Sequence, residues 1–129
     1  MGLFGSKKKE PVGLVGFLTD ADKALAVAMQ TKKIAPLNSY VDQQCARSLM
    51  TRIRSEEKEY AGLDRYKHVT WSKKCDVDAS HVKYIKTVNY DHVKISHGVI
   101  APVGVDYKEE WTVMTEGKPC VVEIRRISA

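Results

Sequence analysis

The sequence predicts an α+β fold in which two N-terminal helices pack on a curved antiparallel sheet of about four long strands. In the first half of the chain, apolar residues recur at spacings of three and four. In the second half they recur at a spacing of two, which is typical of strands with one buried face. The clearest strand pattern is a closing hairpin at residues 105–127, and its single apolar face needs the helices as cover.

Composition places the chain among ordinary globular proteins. Its 129 residues suffice for one domain with a real core, and 43% hydrophobic with 29% charged residues is unexceptional. We find no apolar run approaching ~18 residues and no secretory signal pattern. Three distant cysteines, Cys45, Cys75 and Cys120, form no C-x-x-C motif. They predict reduced thiols in an intracellular protein, cytoplasmic or membrane-peripheral.

We divide the chain into a basic flexible tail at residues 1–17 and a single domain at residues 18–129. The start of the tail has glycine, serine, proline and three lysines but little apolar surface, which predicts mobility. Thr19 then predicts the start of a helix, with Asp22 in its first turn and an end before Pro36. Its apolar stripe consists of Ala21, Leu25, Ala28 and Met29.

The second helix has the strongest helical pattern and is the predicted cover for the closing hairpin. Asn38 or Ser39 can cap its start, and Gly62 can end it. Its apolar positions recur at spacings of three and four: Val41, Cys45, Ala46, Leu49, Met50 and Ile53.

From Tyr66 onward the spacing of two predicts strands, separated by a turn at residues 76–80. Val69 and Trp71 share one face of the first strand. The next strand has an apolar face of Val82, Tyr84, Val88 and Tyr90. At residues 89–91 the apolar positions change parity, which predicts a turn or, as we favour, a β-bulge.

The closing hairpin turns at Gly117, which supplies the positive φ of a tight turn, and Pro119 stands where its return strand begins. On the first strand Glu109 interrupts an apolar face of Val105, Tyr107, Trp111 and Val113. On the return strand the predicted inner face consists of Cys120, Val122 and Ile124, with Val121 and Ile127 on the other face.

The order of elements resembles the NTF2-like cone. The hairpin reads Glu-Trp-Thr-Val from Glu110, then Gly-Lys-Pro-Cys-Val-Val-Glu-Ile from Gly117. This ending resembles the last hairpin of Tim44-like domains, although Pro119 and Cys120 stand where that family usually has an aromatic residue. The resemblance implies a conical pocket between helix and sheet, and scaffold work beside membranes or in multiprotein assemblies. It implies no catalytic residues, and fold analogy alone does not establish function.

The formal net charge of +5 is concentrated in two parts of the chain. Lysines in the strand region form a candidate anion-binding surface: Lys73, Lys74, Lys83 and Lys86. The alternative is an ordinary solvated face. A second cluster in the tail consists of Lys7, Lys8 and Lys9.

The N-terminus fits the N-myristoylation pattern M-G-x-x-x-[ST], which predicts an acyl chain on Gly2 after removal of Met1. One acyl chain binds a bilayer only marginally, and a polybasic patch is the usual second signal. Candidate membrane or partner contacts are therefore Gly2, Lys7, Lys8 and Lys9. A solubilising start without a lipid is the alternative.

We therefore expect a non-enzymatic binding or scaffold domain attached through its basic tail to a membrane surface or a multiprotein assembly. No catalytic residue, cofactor or metal site is predicted, and a homo-oligomer is compatible with the sequence. The four histidines form no H-x-H pair and have no paired carboxylates to complete a metal site: His68, His81, His92 and His97.

Two alternatives stay open. A small-ligand-binding or isomerase-like enzyme would use the conical pocket, with Tyr40 and Asp42, or Asp64 and Tyr66, as acid–phenol pairs. An RNA-binding protein would use the basic sheet region. In that case its stacking platform would be Trp71, Tyr84 and Tyr90.

Overall fold

The computed structural model describes residues 14–55, 67–90 and 107–128. Two helices, α1 (Leu14–Thr31) and α2 (Gln43–Ser55), flank a short 3₁₀ turn at Ala35–Leu37. Four strands follow: β1 (Lys67–Asp78), β2 (His81–Tyr90), β3 (Tyr107–Met114) and β4 (Cys120–Ser128). They pair in the order β1-β2-β3-β4, each antiparallel to its neighbour. The predicted α+β class, with two helices and a four-stranded antiparallel sheet, is confirmed.

Helix α1 begins before the predicted position. Leu14 and Leu18 are buried and continue the stripe of Leu25 at helical spacing, so residues 14–17 belong to the domain and not to a tail. Thr19 does not cap the helix, because its hydroxyl donates to the Val15 carbonyl one turn earlier, at 2.8 Å. The predicted tail boundary at residue 17 and the predicted cap are therefore wrong.

Helix α2 begins where the chain contacts the edge of the sheet. The Val121 amide donates to the Tyr40 carbonyl (2.8 Å), and the Asp42 amide donates to the Val121 carbonyl (3.1 Å). Asp42 then caps the helix, since its Oδ1 accepts the Cys45 amide at 2.8 Å. The predicted caps Asn38 and Ser39 are wrong, because both lie in the turn that precedes this contact. The predicted stop at Gly62 lies outside the described residues.

Strand β1 continues to Asp78, past the predicted end, and a two-residue turn leads into β2. Register shifts between Lys73 and Cys75, and again between Asp76 and Asp78, show how the longer strand keeps its pairing. A change of parity is predicted at residues 89–91. Asn89 and Tyr90 pair with β1 in the regular ladder. The rest of that prediction lies outside the described residues.

The β3–β4 hairpin turns at Gly117 with φ of 74°, and Pro119 precedes β4 directly, as predicted. The predicted faces of β4 are partly wrong. Val121 pairs with Val113 and is fully buried, whereas Glu123 pairs with Thr112, so Val122 is an extra residue within the ladder. A one-residue bulge exchanges the faces on its two sides, which a strict spacing of two cannot represent.

Both helices and the inner face of the sheet contribute to one buried cluster. From α1, α2 and the segment before it come Leu14, Leu18, Ala21, Leu25, Ala28, Leu37, Val41, Cys45, Leu49 and Ile53. From the sheet come Val82, Tyr84, Trp111, Val113 and Val121. Leu49 of α2 is 3% exposed and belongs to this cluster.

Leu49→Ala is expected to lower the free energy of unfolding by about 2–5 kcal/mol, because it removes buried methyl groups and leaves a cavity. Urea unfolding followed by circular dichroism measures this. The control is Val27→Ala, since Val27 on α1 is 47% exposed and its loss should change stability by less than about 0.5 kcal/mol. Equal effects of the two substitutions would contradict this view of the core.

Candidate functional site on the two faces of the sheet

Two neighbouring glutamates of β3 organise charged clusters on opposite faces of the sheet. Glu109 is 0% exposed and Glu110 is 2% exposed. Successive strand residues point to opposite faces, so Glu109 faces the helices and Glu110 faces away from them. We call the first group the inner cluster: Asp22, Arg52, Lys86, Glu109 and Arg126. The second is the outer cluster: Lys74, Lys83, Glu110 and Arg125.

Lys86 is the centre of the inner cluster. Its ammonium donates a hydrogen bond to Asp22 of α1 and lies 3.6 Å from Oε1 of Glu109. The Trp111 indole Nε1 donates to the same Oε1 at 3.2 Å. Lys86 is 2% exposed, so these contacts replace water around a buried charge.

The second oxygen of Glu109 faces two arginines. Arg52 Nη2 of α2 lies 2.8 Å from Oε2, and Arg126 Nε of β4 lies 3.8 Å from it. These are ion pairs without hydrogen-bond geometry, since Oε2 accepts no hydrogen bond. Burial alone would raise the pKa of Glu109, but Lys86 and Arg52 outweigh it and hold that pKa below its ordinary value.

Tyr107 borders the inner cluster and supports its cations through its ring. The Arg126 guanidinium carbon lies 4.0 Å from the centre of that ring, and Lys86 Nζ lies 5.9 Å from it. Burial, with a smaller contribution from Glu109, raises the pKa of Tyr107 to about 12. The phenol is therefore protonated at neutral pH.

The outer cluster brings cations from three strands onto Glu110. Lys74 of β1 donates to Oε2, and Arg125 of β4 donates to Oε1 at 2.9 Å. Lys83 Nζ of β2 lies 3.2 Å from Oε1. The hydrogen bond from Lys74, with those from Lys83 and Arg125, lowers the pKa of Glu110 to about 2. The cations cover the carboxylate yet stay partly exposed themselves: 48% for Lys74, 28% for Lys83 and 59% for Arg125.

Of the predicted anion-binding lysines, Lys74 and Lys83 belong to the outer cluster, and Lys73 is exposed and paired with Asp76 at 3.0 Å. The prediction that Lys86 belongs to this surface is wrong, because Lys86 is buried. It has the same parity in β2 as Tyr84, which faces the core. That parity was visible in the sequence. Gly2 and the three tail lysines, Lys7, Lys8 and Lys9, lie outside the described residues.

Two of the three predicted stacking aromatics face the core. Trp71 is partly buried and packs edge to face on Trp111 with ring centres 5.0 Å apart, and Tyr84 is 3% exposed. Both lie on the inner face of the sheet, away from the outer cluster. Nothing is described for the side chain of Tyr90.

The predicted acid–phenol pair of Tyr40 and Asp42 serves the fold. Asp42 caps α2, and Tyr40 packs on Phe17 with ring centres 5.8 Å apart. The second pair, Asp64 and Tyr66, lies outside the described residues.

A Ser-His-Asp group at the β1–β2 turn lacks the geometry of a catalytic triad. Asp78 Oδ1 and Ser80 Oγ both approach Nδ1 of His81, at 3.0 and 3.1 Å, whereas a triad places them at opposite ring nitrogens. The Ser80 amide is the main cause of the lowered pKa of Asp78. The group therefore closes a turn.

Two further findings concern the described part of the chain. Its His, Cys, Asp and Glu side chains include no group of three that could hold a metal ion. Neither of its helices has the length and apolar character needed to cross a membrane.

No protein-family model matches the chain, and comparison with curated proteins and with solved structures gives no match. The NTF2-like and Tim44-like resemblance stays a prediction.

Lys86→Met is expected to lower the free energy of unfolding by about 3–5 kcal/mol, because it leaves Asp22 and Glu109 without their shared ammonium. Chemical denaturation measures the loss. The double variant Lys86→Met/Asp22→Asn should lose less than the sum of the single losses, since the two groups are paired. Additive losses would contradict a direct interaction between Lys86 and Asp22.

Glu110 should make the free energy of unfolding depend on pH in the acid range. Its folded-state pKa is lowered from 4.5 to about 2. Above pH 4.5 Glu110 therefore makes its full contribution to the free energy of unfolding. That contribution is lost as the pH falls from 4.5 to about 2, because the unfolded state binds more protons than the folded state in this range. In Glu110→Gln, the free energy of unfolding measured by urea denaturation should depend less on pH between those two values. The control is Glu116→Gln, in the exposed hairpin turn, which should show the same pH dependence as the wild type. An unchanged slope in Glu110→Gln would contradict the assignment.

Proposed function

We propose that this chain is a non-enzymatic binding domain, NTF2-like in outline, that attaches to an anionic membrane surface through its basic tail and its outer sheet face. The outer cluster is the observation that carries the proposal. It holds three cations around one carboxylate, and all three remain partly exposed. Excess positive charge on an open face favours anionic surfaces.

The tail adds a second basic contact. Each lysine near an anionic bilayer contributes ~1 kcal/mol, so Lys7, Lys8 and Lys9 together contribute roughly 3 kcal/mol. The outer sheet face lies on the side away from the helices, whereas the tail joins α1. A fully extended chain spans about 3.4 Å per residue, so Lys7 can lie up to about 24 Å from Leu14.

The inner cluster weighs against the enzyme alternative. A carboxylic acid that donates a proton near neutral pH needs a raised pKa. The pKa values of Glu109 and Glu110 are both lowered. These carboxylates are therefore suited to holding cations in place.

The orientation of the aromatic residues weighs against the RNA alternative. Single-stranded nucleic acids bind through aromatic rings as well as positive charge. Trp71 and Tyr84 use their rings in the core, so the outer face offers charge without those two rings.

Vesicle cosedimentation tests the proposal. The whole chain should bind vesicles of phosphatidylcholine with phosphatidylserine, should not bind phosphatidylcholine alone, and should bind less as salt increases. A chain beginning at Val12 should bind on the order of a hundredfold more weakly, because it lacks the three lysines.

A control that removes three lysines elsewhere separates the tail from net charge. The triple variant Lys23→Gln/Lys33→Gln/Lys118→Gln removes three exposed charges outside the tail and the outer cluster and should bind nearly as the whole chain does. Equal vesicle binding by the whole chain and the chain beginning at Val12, at low and moderate salt, would overturn the role of the tail.

A further inference from the structure

We propose that the outer cluster and Thr112 form a binding site for a phosphate group. This inference rests on the proposed function and names the chemistry of the contact. The site consists of Lys74, Lys83 and Arg125, held by Glu110, with the hydroxyl of Thr112 as an additional donor. Its ligand is the phosphate of a lipid headgroup or of a small soluble phosphate.

Thr112 is the observation that points to a ligand. It is 8% exposed, and within the described structure its buried Oγ1 has no hydrogen-bond partner. Buried polar groups are nearly always paired, and leaving one unpaired is unfavourable. The hydroxyl is therefore a donor for which the described residues provide no acceptor.

The sheet register places this hydroxyl inside the outer cluster. Thr112 is directly opposite Lys83 on β2 and Glu123 on β4, and it is two residues from Glu110 on the same face of β3. The side chains opposite it, Lys83 and Glu123, are long and flexible. A ligand reaches the hydroxyl only when these side chains move aside.

The cations retain donors for a ligand. An ammonium has three N–H donors and a guanidinium has five. Lys74, Lys83 and Arg125 each contact one oxygen of Glu110. The remaining donors on the partly exposed groups can bind the several acceptor oxygens of a phosphate, for which arginine is especially suited.

The charge close to Thr112 agrees with an anionic ligand. Beside the outer cluster the described sheet carries exposed Lys108, two residues before Glu110, and exposed Glu123 opposite Thr112. Here four cations stand against two carboxylates, and the carboxylate of Asp78 lies farther along the face, opposite His81. Glu123 repels an anion, so the ligand belongs on the Lys83 side of Thr112.

Thr112→Val tests the site without risk to the fold. The two side chains have the same shape, and valine removes a buried hydroxyl that has no partner, so the variant should be at least as stable as the wild type. Binding of inorganic phosphate, measured by titration with NMR chemical shifts, should weaken about tenfold, as for loss of a hydrogen bond to a charged group. Thr70→Val is the matched control, because Thr70 is an exposed threonine of β1.

A second variant and a second probe complete the test. Arg125→Gln should also weaken phosphate binding, because it removes a charged donor from the site. Vesicles containing phosphatidic acid, compared with inorganic phosphate, distinguish a lipid headgroup from a soluble ligand. Binding that depends on Thr112 with either probe supports the site.

Failure of this inference differs from failure of the proposed function. If Thr112→Val and Arg125→Gln bind both probes as the wild type does, the phosphate site is overturned, while tail-dependent binding to phosphatidylserine vesicles can still stand. If the whole chain does not bind anionic vesicles but binds inorganic phosphate through Thr112, the membrane proposal fails and the site remains.

Discussion

The buried contact of Lys86 with Asp22 and Glu109 is the constraint on which the rest of the structure depends. Lys86 lies on the inner face of β2, where the neighbouring inward residues are apolar. Removing charged groups from water costs several kcal/mol per ion, so the arrangement is tolerable only when partners are close. The partners of Lys86 come from α1 and β3, and Glu109 also contacts Arg52 of α2 and Arg126 of β4. Displacing α1 or β3 would take a carboxylate away from buried Lys86, and displacing α2 would take Arg52 away from Glu109. We infer that the cluster helps to fix how the helices are placed on the sheet.

The alternation of a strand gives adjacent glutamates of β3 different roles. Glu109 lies in the core, where it contacts the buried ammonium of Lys86 and two arginines that reach it from α2 and β4, which makes it part of the framework. Glu110 lies on the open face and is covered by side chains that solvent still reaches. An antiparallel sheet covered on one side must be polar on the other. Here the polar face includes three cations around one carboxylate, and their contacts with Glu110 hold them close together.

Sequence reasoning was sufficient where local patterns decide the structure and insufficient where distant contacts do. The change of apolar spacing predicted the α+β class, and Gly117 with Pro119 predicted the closing turn. The burial of Val121 depends on a bulge and on pairing with the chain near Val41, which lies far away in sequence. Lys86 is buried although its charge favours exposure, because its parity in β2 is that of the core. Thr112 had no sequence signal at all, because an unpaired hydroxyl exists only once its neighbours are placed.

The outer cluster is organised before any ligand arrives, because its three cations converge on Glu110 in the folded chain. These contacts lower the pKa of Glu110 to about 2, so the carboxylate that holds the cations is ionised at neutral pH. Flexible lysines normally lose conformational entropy when they close on a ligand. Here part of that ordering accompanies folding, because Lys74, Lys83 and Arg125 already converge on one group. A carboxylate in the middle of a basic face thus lowers the net positive charge of that face. It nevertheless favours binding of an anion, because it holds the donors of the three cations close together.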